Sequence, residues 1–150
     1  MPGFAQKEVL GLAASLELYS KHPLARAIVG EAKAEGLALE QASAVHEPPG
    51  QGLRGTVGDR AVEITSRGNV MAANVAGAEQ LPPGAGGLEC VVVVDDRFAA
   101  TFRLRDAPRA EGKSFIQHLG PKHQFQRIMI LSGDRESEVR YLAEQVGINE

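Results

Sequence analysis

The chain has 150 residues, enough for one ordinary domain or for one domain and a fragment of another. Hydrophobic residues make up 43% and charged residues 23%, a balance that argues against extensive disorder. The net charge of −3 supplies no basic field, which argues against nucleic acid or an anionic membrane surface as a partner. The start lacks the pattern of a signal peptide, and no run reaches the roughly 20 apolar residues that span a bilayer.

The first third of the chain has the spacing of two helices. Apolar residues recur with helical periodicity over about residues 6–19, and Ser20-Lys21-His22-Pro23 interrupts the pattern. Because proline fits the first turn of a helix, a second helix is predicted from Pro23 to residue 34 or 35, ended by Gly36. Two helices joined by so short a connection form a helical hairpin.

After Gly36 the periodicity becomes that of β-strands. Strands are predicted at residues 43–47, 53–57, 61–65, 89–95 and 97–104. Residues 58–60 and 95–96 are predicted to be hairpin turns, a short helix is predicted at 66–75, and 77–87 is predicted to be a loop. This part of the chain therefore predicts an antiparallel sheet backed by the helical hairpin.

From Asp106 the pattern changes to helix–strand–helix, which is typical of parallel α/β sheets. The helices are predicted at 109–119 and 136–146, with a buried strand at 127–131 between them. A parallel sheet needs partners for that strand, so this part is predicted to be incomplete. The predicted fold class is α+β, with an antiparallel sheet and helical hairpin over residues 1–105 and an incomplete α/β fragment over 106–150.

Two motifs of the first part suit a flat ligand. His22 precedes a helix-starting proline, where a histidine is usually a cap or a surface residue, but its ring can also stack on a nucleobase while Glu17 accepts from an exocyclic amine. The glycine-rich segment 50–55 matches the dinucleotide fingerprint only superficially, because Pro48-Pro49 precede it and β-like residues follow. It is a turn between strands, whose missing Cβ atoms would allow a ligand close approach.

Two further motifs lie in the second part. Asp106 and Arg109 form an Asp-x-x-Arg motif, and Ser132-Gly133-Asp134 follows the apolar strand. Each could be only a helix cap. The carboxyl end of a strand is also where α/β sheets bind ligands, and a helix N-terminus offers N–H groups to a phosphate.

Taken together and in this order, the four motifs resemble the heavy-metal, copper-type branch of the P-type ATPases. The resemblance covers about residues 6–148, and the stretch Lys-His-Pro-Leu-Ala-Arg-Ala-Ile-Val that begins at Lys21 is its most specific part. It implies a nucleotide-binding domain over residues 1–105 and part of a phosphorylation domain over 106–150.

The resemblance also assigns roles to residues. The ATP-binding residues it implies are Glu17, His22, Gly50, Gly52 and Gly55, with adenine recognised by the glutamate and the histidine. The resemblance places Asp106 and Arg109 at the edge of the phosphorylation domain. It places Ser132, Gly133 and Asp134 in a loop near the γ-phosphate, with serine instead of the family's threonine. The family usually has another glycine after the hairpin, and Thr65 stands there in this chain, so that wall of the pocket is expected to be narrower or displaced.

The chain lacks the family's Asp-Lys-Thr-Gly-Thr phosphate acceptor and its Gly-Asp-Gly-x-Asn-Asp loop. The resemblance therefore implies a fragment that binds ATP without hydrolysing it, from the cytoplasmic part of an integral membrane protein. The implied partners are the rest of the phosphorylation domain, the actuator domain and the transmembrane helices, with Mg²⁺ as cofactor of the full enzyme. The transported ion and the direction of transport stay open.

Three alternatives stay in view. A phosphatase of the haloacid-dehalogenase type needs an Asp-x-Asp near its start, which is missing here. A non-enzymatic interaction domain would bind no nucleotide. A metal-binding module is disfavoured because the histidines are scattered and Cys90, the only cysteine, is expected to be a small buried hydrophobe. The unpaired strand at 128–131 is a candidate surface for a homodimer.

Overall fold

The computed structural model forms two compact units. The described residues are 3–84, 88–104, 110–123, 128–133 and 136–148. The first unit is built from residues 1–83 and 89–104, and the second from 84–88 and 105–150. Within the described ranges, no helix has the length and apolar character needed to cross a membrane.

The first unit begins with the predicted helical hairpin, which is confirmed. Helix α1 spans Gln6–Glu17 and packs against α2, which spans Ala25–Ala34. Helix α2 begins two residues after Pro23, because the first backbone bond of this turn runs from the Ala25 N–H to the His22 carbonyl. Gly36 ends α2 with a φ of +70°, and the Leu37 N–H donates to the Ala32 carbonyl, as in a Schellman motif.

Five strands follow and form one antiparallel sheet, as predicted. They are β1 (Ala42–His46), β2 (Leu53–Val57), β3 (Arg60–Thr65), β4 (Leu88–Val94) and β5 (Arg97–Leu104). The strands neighbour one another in chain order, and every predicted strand is present to within one residue at each end. A short helix, α3 (Arg67–Ala72), follows β3, and its N-cap Ser66 accepts a hydrogen bond from the Asn69 N–H.

The sheet is covered on both faces along β4. Val92 and Val94 belong to a core cluster that includes Leu16 of α1, whereas Val91 and Val93 pack with Val70 of α3. All four valines of β4 are therefore buried, as alternation along a strand requires when both faces are covered. Cys90 is 8% exposed and unpaired, which confirms the predicted buried cysteine.

The second unit contains the two predicted helices, which pack against each other. They are α4 (Ala110–His123) and α5 (Glu136–Val146). The strand predicted at 127–131 is wrong over the described residues 128–131, which lie outside any helix or strand. A strand exists only within a hydrogen-bonded ladder, and the described residues between 110 and 148 include no other strand to pair with it.

Candidate functional site

Glu17 is the last residue of α1, and its side chain lies inside the first unit. It is 6% exposed, and its Oε2 atom finds no hydrogen-bond partner among the described residues. Burial raises the pKa of the Glu17 carboxyl, the Ser20 hydroxyl lowers it, the nearby Glu47 carboxylate raises it and His22 lowers it. Because an unpaired buried carboxylate oxygen costs free energy, this position suits a ligand that brings a hydrogen-bond donor.

His22 lies in the exposed turn between α1 and α2. The ring Nδ1 of His22 accepts a hydrogen bond from the Leu24 backbone N–H at 3.3 Å. The backbone N–H of His22 donates to the Ser20 Oγ at 3.0 Å. These two bonds anchor both the backbone and the ring of the histidine. The turn thus presents an oriented imidazole at the surface, and the imidazole is close enough to Glu17 to lower the pKa of that carboxyl.

Glu47 connects this turn to the sheet, and sequence reasoning missed it. The Ser20 hydroxyl donates to its Oε1 at 2.7 Å, and the Lys21 N–H donates to its Oε2 at 3.5 Å. Glu47 follows β1 directly and precedes the glycine turn. It therefore joins the two segments that were predicted to hold ATP. No local spacing could have revealed the contact, since 27 residues separate Glu47 from Ser20.

The glycine turn itself requires glycine at two positions. Gly50 has a φ of +73° and Gly52 a φ of +95°, in the left-handed region that side chains disfavour. A Cβ on Gly52 would also collide with the Ile64 carbonyl oxygen and lie 2.9 Å from the Thr65 Cα. The turn is therefore pressed against the end of β3.

Gly55 occupies a different environment. It lies in β2, and a Cβ there would lie 2.7 Å from the Leu16 Cδ1 and 3.1 Å from the Ser43 carbonyl oxygen. The missing side chain lets the end of α1 approach the sheet. In the structure Gly55 has a packing role, because it lies against Leu16, the residue that precedes Glu17 in α1. Its contact with ATP stays a prediction.

Two side chains fasten the glycine turn from behind. The Thr65 hydroxyl donates to the Gln51 carbonyl at 2.9 Å, and the Asn69 Nδ2 donates to the Gly50 carbonyl at 3.0 Å. The same Asn69 amide donates to the Thr65 Oγ1 at 2.8 Å. The sequence singled out Thr65 only as a departure from a glycine, and it gave no signal for Asn69.

The residues predicted to belong to the phosphorylation domain's site lie in the second unit. Asp106, Arg109 and Asp134 lie outside the described residues. Ser132 and Gly133 are described and exposed, in the segment 128–133. Their roles stay predictions.

Comparison with known proteins gives the chain its relatives. No protein-family profile matches it. It is 37% identical over 141 residues to the Synechococcus protein named Probable copper-transporting ATPase SynA, an alignment that covers 93% of this chain and 17% of the relative. It is 35% identical over 151 residues to the copper-transporting ATPase of Helicobacter felis, covering 99% of this chain and 19% of the relative. This chain is homologous to a segment of the copper-transporting P-type ATPases.

Solved structures agree with that relationship. The ATPase segment matches the catalytic domain of the CPx-ATPase CopB-B with a TM-score of 0.68 and 28% identity, over 98% of this chain and 52% of that one. It matches the N-domain of HMA6, a copper-transporting P-type ATPase, with a TM-score of 0.52 and 28% identity, over 67% of this chain and 86% of that one. The ATPase segment spans less than a fifth of the length of the two relatives above.

Proposed function

We propose that the first unit binds ATP by its adenosine and holds it so that the γ-phosphate can reach the aspartate of a phosphorylation domain. The observation that carries the proposal is the buried Glu17 carboxylate, whose Oε2 has no hydrogen-bond partner among the described residues, beside the anchored ring of His22. A carboxylate accepts from the exocyclic amine of adenine, and an imidazole offers a flat surface for stacking. The homology to ATPases supports the same ligand.

The charges around the site orient the nucleotide. Glu17 and Glu47 lie close enough for their carboxylates to interact, and both would repel a triphosphate. The adenine therefore enters toward Glu17 and the phosphates extend away from it. Because the contacts fall on adenosine, binding is expected to be modest, in the high-micromolar to millimolar range, or about −4 to −6 kcal/mol.

We infer that the parent protein hydrolyses ATP and couples it to the transport of a heavy-metal cation. The segment would then belong to its cytoplasmic part and work with the rest of the phosphorylation domain, the actuator domain and the transmembrane helices. Phosphoryl transfer relies on positioning and charge stabilisation. In the full enzyme, Mg²⁺ would stabilise the charge of the phosphates. The residues assigned to support catalysis from the phosphorylation domain are Asp106, Arg109, Ser132, Gly133 and Asp134.

Exposed apolar residues of the second unit offer a surface through which two copies of the isolated chain could associate. Met129 is 64% exposed and Leu131 is 96% exposed. We propose that the segment 128–131 associates with a second copy when the rest of the parent protein is missing. Sedimentation of the wild type and of Leu131→Glu tests this: a dimer that the glutamate dissociates supports it, and a wild-type monomer at high concentration refutes it.

An ATP titration followed by amide chemical shifts tests the nucleotide site. Shifts should cluster at Glu17, His22 and residues 50–55 in the wild type and disappear in His22→Ala. The exposed His118 of α4 supplies a matched control, so His118→Ala should bind ATP as the wild type does. Wild-type protein that shows no shifts at several millimolar ATP would favour a non-enzymatic interaction domain.

An assay of phosphate release tests the remaining alternative, a phosphatase. The segment lacks the phosphate acceptor of the family, so it should bind ATP without releasing phosphate. Sustained release by pure protein, abolished by a substitution in this chain, would contradict the proposal and favour a phosphatase.

A further inference from the structure

Three side-chain hydrogen bonds converge behind the glycine turn. The Thr65 hydroxyl donates to the Gln51 carbonyl, and the Asn69 amide donates both to the Gly50 carbonyl and to the Thr65 Oγ1, at 2.8–3.0 Å. The Thr65 side chain is 6% exposed, so these bonds are shielded from water on one side. Two consecutive carbonyls of the turn are thus bound to one pair of side chains, the Thr65–Asn69 clamp.

The clamp is built on regular structure. Thr65 ends β3, and Asn69 lies in the first turn of α3, where its own N–H donates to the N-cap Ser66 Oγ at 3.2 Å. Helix α3 is held to the sheet by Val70, which is 1% exposed. The position of Asn69 is therefore set by the cap and by the packing of α3, independently of the turn.

A turn with two glycines has more backbone conformations available than the same turn with other residues. Among the described residues, the backbone bond within this turn runs from the Gln51 N–H to the Pro48 carbonyl at 3.1 Å, which leaves Gly50 and Gly52 restrained little by the backbone itself. Bonds from Thr65 and Asn69 remove part of the remaining freedom before a ligand arrives. Such preorganisation lowers the entropy cost of binding.

We propose that Thr65 and Asn69 are positioning residues that hold the Gly50–Gly52 turn in the shape that accepts the adenosine of ATP. The inference rests on the proposed function of the first unit. It gives the threonine at position 65 a role that glycine could not perform, because glycine would leave the Gln51 carbonyl without this donor and the Asn69 amide without this acceptor. The clamp thus acts on nucleotide affinity through the turn, without touching the reacting phosphates.

The test compares substitutions that keep or remove the hydroxyl. Thr65→Val keeps the shape of the side chain and removes the bonds, and we expect it to weaken ATP binding about five- to tenfold. Thr65→Ser keeps the hydroxyl and should bind within about twofold of the wild type. Asn69→Ala removes the other half of the clamp and should resemble Thr65→Val. Hydrogen exchange at the Gln51 amide should accelerate in the two weak variants before ATP is added.

A control separates positioning from general loss of stability. Val94→Ala truncates a fully buried residue of β4 that is remote from the clamp. Thr65 pairs with Val91 of β4, whereas Val94 pairs with Val62. Val94→Ala should lower the melting temperature and leave the ATP dissociation constant unchanged. Asn69 is only half-buried, so Asn69→Ala keeps the test available if Thr65→Val does not fold.

The outcomes distinguish the two proposals. Wild-type protein that binds no ATP would refute the proposed function. Wild-type binding with equal affinity in Thr65→Val, Thr65→Ser and Asn69→Ala would refute the clamp and leave the function standing. Equal weakening in Thr65→Val and Val94→Ala would show that Thr65 acts only through stability, which also refutes it.

Discussion

The two units of this chain differ in how their apolar side chains are covered. In the first unit the helical hairpin covers one face of the sheet and α3 covers part of the other, so a continuous valine run on β4 is buried. In the second unit Val146 and Ile148 are buried, while Phe115 and Leu131 stay 61% and 96% exposed. A unit whose strands are neighbours in sequence carries its own partners, whereas a strand of a parallel sheet depends on distant ones.

A matched pair of leucines gives the largest expected difference between the units. Leu16 is fully buried between α1 and the sheet, and Leu131 is 96% exposed. Leu16→Ala should lower the free energy of unfolding by about 2–5 kcal/mol, through lost transfer free energy and a residual cavity. At protein concentrations where the chain is monomeric, Leu131→Ala should change that free energy by less than about 0.5 kcal/mol. Urea denaturation measures both, and similar losses would mean that Leu131 is covered in solution.

The same contrast explains what the sequence could predict. All five strands of the first unit were predicted because each is a run of strand-forming residues bounded by turn residues, and each pairs with the next strand along the chain. The strand predicted at 127–131 has an equally apolar sequence, but strand formation depends on neighbours that the sequence pattern cannot supply. Local pattern thus sufficed where pairing is local and failed where it is not.

Within the site, motif and geometry were predictable to different degrees. The resemblance to the ATPases singled out Glu17 and His22, and the structure places them together at one end of the hairpin. Glu47 and Asn69 could not be found from spacing, because Glu47 contacts Lys21 and Asn69 contacts Gly50, which lie 26 and 19 residues away along the chain. Gly55 matched the motif but packs against α1, since a missing Cβ serves close packing as well as ligand approach.

Two glycines give the next largest difference. Gly52 has a positive φ and no room for a Cβ, whereas Gly133 has no atom within 4 Å of a built Cβ among the described residues. Gly52→Ala should cost about 1–3 kcal/mol of stability and abolish ATP binding by displacing the turn. Gly133→Ala should leave the stability unchanged, because the added Cβ would meet open space. A melting curve and an ATP titration of each variant test these expectations. Normal ATP binding by Gly52→Ala would mean that the glycine turn does not contact ATP.

Buried and exposed glutamates should respond to pH differently. Burial raises the pKa of Glu17, so between the unfolded and the folded pKa the folded state holds a proton that the unfolded state has released. The contribution of Glu17 to stability is therefore fully present below the unfolded pKa and is lost as pH rises through the folded pKa. Glu17→Gln should raise the free energy of unfolding at pH 7–8 by about 1 kcal/mol, with the gain vanishing at pH 4.

The control for that prediction is Glu136, whose side chain is 86% exposed on α5. Glu136→Gln should show no comparable gain at any pH. Glu17→Gln should also weaken ATP binding although it stabilises the fold, because a neutral amide is a weaker acceptor than a carboxylate. A variant that is both less stable at pH 8 and normal in ATP binding would show that Glu17 serves only the fold.

The smallest expected effect concerns Glu47, which links the His22 turn to the end of β1 through exposed hydrogen bonds. Water competes for such bonds, so Glu47→Ala should change the melting temperature little. It should still weaken ATP binding about two- to fivefold, because Ser20 and Lys21 lose the contact that holds their turn beside the glycines. The exposed Glu79 of the same unit provides the comparison, and Glu79→Ala should bind ATP normally. Equal affinities of the two variants would mean that the two halves of the site are held together by the packing of α1 on β2 and Gly55 alone.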